Sequence, residues 1–124
     1  FVSHILHNES PTVFGDGEQT RDFCYIENVC LANWLAVTVR GDLCDGSPIN
    51  IACNQSTSLN QILGKLKQLL GSDIKAKYAP VRAGDVKHSL ADISKARQVL
   101  GYKPQVLFEK GLEIAIDWYK ENLK

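Results

Sequence analysis

The side chains of this sequence that could move a proton or hold a metal are not spaced to do so. A tyrosine with a lysine four positions later would be a candidate acid–base pair. Here Tyr25 is followed at that distance by Val29, Tyr78 by Arg82, Tyr102 by Val106 and Tyr119 by Leu123. No HExxH, GxSxG or P-loop pattern occurs. Gly15-Asp16-Gly17 is flanked by strand-like residues on both sides, so it reads as a turn and not as a dinucleotide fingerprint. Cys24, Cys30, Cys44 and Cys53 contain no CxxC pair, which argues against zinc. His4 and His7 share a helical face with no carboxylate or thiol to complete a metal site.

What remains is binding chemistry. Arg21 lies in an alternating run and Arg82 in a loop with Gly84 and Asp85. A guanidinium offers paired, planar donors that match phosphate oxygens, and it is charged at every working pH. Taken singly, each has a plainer explanation. Arg21 fits a strand-edge ion pair with Glu18 or Asp22, Arg82 a solvated loop cation, and Asp85 an Asx turn after Gly84. His88 reads as an exposed loop residue within reach of anything bound near Asp85.

The elements that would position these residues alternate between strand and helix. Phe1, Ile5 and Leu6 predict a short helix at the first residues, which suggests a segment lost upstream. Val13-Phe14 predicts a strand, Arg21–Ile26 a second by its alternation, Pro48–Ala52 a third and Ile74–Tyr78 a fourth. Glu27-Asn28 opens a helix, Val29 to about Val39, that is apolar nearly all round and therefore expected to be buried, with Cys30 in its packing and Gly41 at its end. Ser58 caps a helix over Leu59–Leu70 that Gly71 closes. Asp92 or Ser94 caps a helix to Leu100, and the last runs from about Phe108 to Leu123. Strands alternating with helices predict an α/β domain with a small mixed sheet.

Composition is that of one domain, residues 1–124. The chain is 44% hydrophobic and 23% charged, and 14 basic residues balance 14 acidic ones. Neutral charge without a basic run points away from nucleic acid. No apolar stretch reaches the length of a membrane span. The first residues lack a signal-peptide pattern, so the expected compartment is the cytoplasm, with reduced thiols.

Two runs carry a family resemblance. PTVFGDGEQTRDFCYIENV, positions 11–29, and RAGDVKHSLADISKA, positions 82–96, resemble the two substrate-binding segments of extended short-chain dehydrogenases. LGYKP at 100–104 and GLEIAIDWY at 111–119 continue the pattern in the family's order. The wording is most similar to UDP-N-acetylglucosamine 4-epimerases. The resemblance implies the C-terminal substrate domain of such an enzyme, lacking the Rossmann domain with its NAD and Tyr-x-x-x-Lys pair. It implies Arg21 and Arg82 as the diphosphate clamp, Asp85 as the acceptor for a ribose hydroxyl, and Phe14 with Gly15 as the wall for the uracil. Asn28 stands where the family often has an acidic residue. The expectation is a chain with no cofactor of its own and no epimerase activity alone, which binds a UDP-sugar weakly. The alternatives are a self-association module, as a homodimer or against a separate Rossmann-domain partner, and a fragment without independent function.

Overall fold

The helix expected after Ser58 forms, and its ends show why. A computed structural model describes residues 1–43 and 45–123; Cys44, one of the four thiols, lies outside the described residues. Helix α3 spans Leu59–Leu70. The Ser58 hydroxyl accepts from the Gln61 backbone N–H at 3.2 Å, and the Gln61 side chain accepts from the Ser58 N–H at 2.8 Å. This reciprocal capping box satisfies two amides that a helix start otherwise leaves unpaired. At the far end Gly71 adopts φ 62°, the left-handed conformation that only glycine enters without cost. Ile62, Leu63 and Leu66 form the buried face.

Around that face the first core assembles. Helix α1, Val2–Leu6, contributes Ile5; strand β1, Thr12–Phe14, contributes Val13; and helix α5, Phe108–Asn122, contributes Ile116. The short first helix, too short to persist alone in water, therefore docks on its own domain, with Phe1 and Val2 packed beside Ile5. Gly111 of α5 sits where an added Cβ would lie 2.9 Å from the Tyr25 Cβ, so this glycine permits a close approach. A second cluster joins Ala32 of helix α2, Ile26–Thr38, to Ile93, Tyr102 and the Ala96 and Leu100 side chains of helix α4, Ser94–Leu100.

Four strands form, as the alternation predicts, but only the first lies where expected: the second is cut to two residues, the third falls at Thr57–Ser58 and the fourth shifts to Lys77–Ala79. Strand β1 pairs in parallel with β4, Lys77–Ala79, in register Phe14↔Ala79. Strand β2, Thr20–Arg21, pairs antiparallel with β3, Thr57–Ser58. The mixed sheet is thus two two-stranded ribbons. The run Arg21–Ile26 does not continue as a strand because Asp22 turns to accept the backbone N–H groups of Cys53 and Asn54, at 3.0 and 2.9 Å. Pro48–Ala52 is not a strand: no neighbouring backbone completes a ladder with it among the described residues.

Helix α2 differs most from expectation. It begins at Ile26, ends at Thr38 before Gly41, and buries only Asn28 and Ala32. Ile26, Trp34 and Val37 are 61%, 66% and 81% exposed, and Cys30 is exposed as well. Hydrophobicity all round a helix predicts neighbours on every side, but α4 covers only one. At α4 neither Asp92 nor Ser94 is the N-cap. That position is Ile93, and the Asp92 carboxylate accepts from the Ser94 N–H at 2.8 Å. No helix of the described residues is long and apolar enough to cross a membrane.

Candidate nucleotide-sugar site

The site is built on the turn that leaves β1. Gly15 and Gly17 adopt φ 88° and 77°. The backbone of the turn is tied to β4 by Gly15 N–H donating to Ala79 O at 2.8 Å, and to α3 by Asn60 N–H donating to Gly17 O at 3.0 Å. The Asn60 amide also donates to Asp16 O at 3.1 Å, and the Tyr78 hydroxyl donates to Asn60 Oδ1 at 2.8 Å. A Cβ on Gly17 would run into the Asn60 side chain, and φ 77° is itself a conformation that favours glycine. The Glu18 N–H and, less strongly, the Lys87 ammonium hold the Asp16 carboxyl below its ordinary pKa.

The loop between β4 and α4 is strapped to β2. Thr20 N–H donates to Lys87 O at 2.8 Å and Ser89 N–H to Thr20 O at 3.2 Å, while His88 Nδ1 meets Thr20 Oγ1 at 3.1 Å. Within the loop Asp85 N–H donates to Arg82 O at 3.2 Å, closing a turn at Gly84, φ 85°. This strap carries Arg82 over β1, where its guanidinium lies 3.6 Å from the centroid of the Phe14 ring.

The residues nominated from the sequence therefore converge. Phe14, Arg21, Arg82 and Asp85 line one cleft of about 300 Å3. Phe14, Gly15 and Asp85 line an adjoining cleft of about 550 Å3, with Tyr78, Val81 and Lys87 on its other walls. Arg21 is half-buried and donates to Thr20 O at 2.8 Å. Neither Glu18 nor Asp22 pairs with it among the described residues: Glu18 accepts from the Asn60 amide, and Asp22 is engaged by backbone N–H groups.

Three contributors carried no sequence signal. Gln19 borders both clefts; its amide nitrogen donates to Phe14 O at 2.5 Å and its amide oxygen is buried without a partner. Asn60 and Tyr78 act through contacts between elements that spacing along the chain does not reveal. Among the described residues β3 is the strand that runs directly into a helix, and it enters α3 through Thr57 and Ser58 with no glycine. Among the described residues no group of three or more His, Cys, Asp or Glu could hold a metal ion.

A glycine turn on a short parallel ribbon thus brings two arginines and an acidic residue together beside an aromatic ring. The family model for GDP-mannose 4,6 dehydratase matches residues 1–115, and the chain belongs to that family. It is 34% identical to a UDP-glucuronate 4-epimerase of Thermodesulfobacterium geofontis, over the whole of this chain and 38% of that protein. Among solved structures, UDP-glucose 4-epimerase of Thermotoga maritima with UDP-glucose matches 99% of this chain and 38% of its own, at TM-score 0.88 and 35% identity. UDP-N-acetylglucosamine 4-epimerase of Methanobrevibacter ruminantium in complex with UDP-N-acetylmuramic acid matches 97% of this chain and 37% of its own, at TM-score 0.84 and 38% identity. The chain thus spans less than two-fifths of these relatives' length.

Proposed function

We propose that this chain, as a single unit over residues 1–124, is the nucleotide-sugar-holding part of a UDP-sugar-modifying enzyme. Arg21 and Arg82 take the diphosphate, Asp85 a ribose hydroxyl, and Phe14 with Gly15 the uracil. The observation that supports this is the convergence of Phe14, Arg21, Arg82 and Asp85 on one cleft from distant parts of the sequence. The chain's own residues supply charge and shape and no acid–base pair for epimerisation. NAD accompanies a UDP-glucuronic acid 4-epimerase of Bacillus cereus, 32% identical to this chain. In the present reading NAD is held by residues outside this chain. A ligand gripped on one side stays partly hydrated, which weakens its ion pairs, so binding is no tighter than micromolar. The free thiols of Cys24, Cys30 and Cys53 suit a cytoplasmic setting. Calorimetry and ligand-observed NMR with UDP test the reading, alongside a coupled epimerase assay with added NAD. The reading expects weak binding and no turnover; silence at millimolar UDP overturns the binding, and turnover above a protein-free control overturns the division of labour.

A second reading, association as the chain's main property, is favoured by the exposed apolar side chains of α2. The partner is either a second copy or a separate dinucleotide-binding domain.

A further inference from the structure

Cys24 and Cys53 belong to distant parts of the sequence, and the segments that carry them come together around Tyr102. The Tyr102 hydroxyl donates to Ala52 O at 3.0 Å and lies 4.0 Å from Cys24 Sγ. Cys53, the residue after Ala52, is held by its backbone: its N–H donates to the Asp22 carboxylate, two residues before Cys24, at 3.0 Å. The Asn28 amide reaches Cys53 Sγ at 3.5 Å. The Asp22 clasp therefore fixes the two cysteine-bearing segments against each other before any covalent bond exists. Burial chiefly, and then the neighbouring Cys24, push the Cys53 thiol up to about 11.

Their exposures differ in a way that assigns roles. Cys53 is buried. Cys24 is half-buried and lines an open cleft of about 140 Å3 beside Phe23, Tyr25, Phe108 and Gly111. A thiol that solvent and small reagents reach, next to one that they do not, is the arrangement of an attacking and a resolving cysteine.

We propose that Cys24 and Cys53 are an oxidation site that closes to an intramolecular disulfide by exchange with a small-molecule disulfide. Cys24 loses its proton to solvent, and its sulfur attacks one sulfur of the reagent. The reagent's S–S bond breaks, and one small thiolate leaves and is protonated. Cys53 then loses its proton to solvent, the slow step because burial disfavours its thiolate, and attacks Cys24 Sγ in the mixed disulfide, expelling the second small thiolate, which is also protonated. Two protein thiols are oxidised to one disulfide, and the reagent is reduced to two thiols. The bridge locks the segment that carries Arg21 to the loop that Asp22 already grips. It also closes a long loop in the unfolded chain, which favours the folded state.

The test is incubation of the whole chain with bis(2-hydroxyethyl) disulfide, followed by intact mass and non-reducing peptide mapping. Chymotrypsin cuts at Tyr25, between Cys24 and Cys30, and cleavage before Asp45 separates Cys44 from Cys53. The expected product lacks two hydrogens, links the Cys24 and Cys53 peptides, reverts with dithiothreitol and melts at a higher temperature than the reduced chain. Cys30→Ser, at an exposed position, should give the same link. A hydroxyethyl adduct that persists on Cys24, a bridge to Cys30 or Cys44, or two thiols that stay alkylatable would each overturn the proposal. The wild-type map decides by itself, so a variant that fails to fold does not obscure the answer.

Discussion

The Arg82 guanidinium rests on the face of the Phe14 ring, 3.6 Å from its centroid, so the residue assigned to the diphosphate and the residue assigned to the base are in direct contact. Arg82→Ala should weaken UDP binding by about 1.5–3 kcal/mol, the scale of a hydrogen bond to a charged group. Because the ring also orients the guanidinium, Phe14→Ala should lower the effect of Arg82→Ala. The coupling in a double-mutant cycle should be about 0.5–1 kcal/mol, as for an exposed cation–π pair. Calorimetric titration of the four proteins measures it. Additive losses would mean that the two residues serve the ligand independently.

Asn28 should prove structural. It is fully buried; its amide oxygen accepts from the N–H groups of Gln105 and Val106 at 2.8 and 3.1 Å, and its amide nitrogen donates to Val106 O at 2.6 Å. Asn28→Ala leaves three backbone groups without their partner, each costing about 1–3 kcal/mol when buried. The expected loss is therefore about 3 kcal/mol or more, read from the urea midpoint. A change below about 0.5 kcal/mol, the range of ordinary surface substitutions, would show that water replaces the amide there.

Gly17, packed against α3, and Gly64, within it, should respond with opposite sign. Gly17→Ala forces a side chain into φ 77° and onto Asn60, so it should destabilise by at least the roughly 1–2 kcal/mol of a left-handed residue. Gly64, within α3, has nothing within 4 Å of an added Cβ. Gly64→Ala should stabilise by about 0.5–1 kcal/mol through the unfolded chain's lost freedom and better helix propensity. Equal effects at both sites would contradict the packing of the turn against the helix.

Much of this was legible in the sequence where the determinants are local. Ser58 before Leu59 and Gly71 after Leu70 mark the two ends of α3, and the caps form as their types require. Asp22 and Asn28 were not legible, because each bonds backbone groups far along the chain that no spacing rule connects. The apolar residues of α2 were legible as apolar, but a helical pattern does not say whether the same chain supplies a neighbour for every face. The four side chains of the cleft were nominated through the family resemblance. Gln19 and Asn60 were missed because a glutamine or asparagine announces nothing until its partner is in view.

Stability should fall at alkaline pH under reducing conditions. The Cys53 thiol is raised from 9.0 to about 11, chiefly by burial, and the Tyr102 hydroxyl is raised for the same reason. A raised folded-state value means that the protonated form is favoured by folding. Its contribution is complete below the unfolded value and is lost as pH climbs from 9.0 towards about 11. Urea midpoints across that window should decline, and Cys53→Ala should make the decline shallower. An identical slope in the variant would remove Cys53 as a cause.

The outer face of α2 should drive association. Ile26, Cys30, Trp34 and Val37 recur at helical spacing as one exposed stripe, and nothing in the described chain packs over it. Contiguous apolar surface of this kind usually finds a partner, and in the isolated chain the available partner is a second copy. Sedimentation velocity should show a concentration-dependent shift to a larger species. Trp34→Glu combined with Val37→Lys should restore the monomer. Both side chains are mostly in solvent, so the pair should leave the unfolding midpoint within about 0.5 kcal/mol per site. A wild-type chain that stays monomeric at the highest concentration tested would defeat the association reading. Loss of association together with loss of stability would instead place Trp34 in the fold, contrary to its 66% exposure.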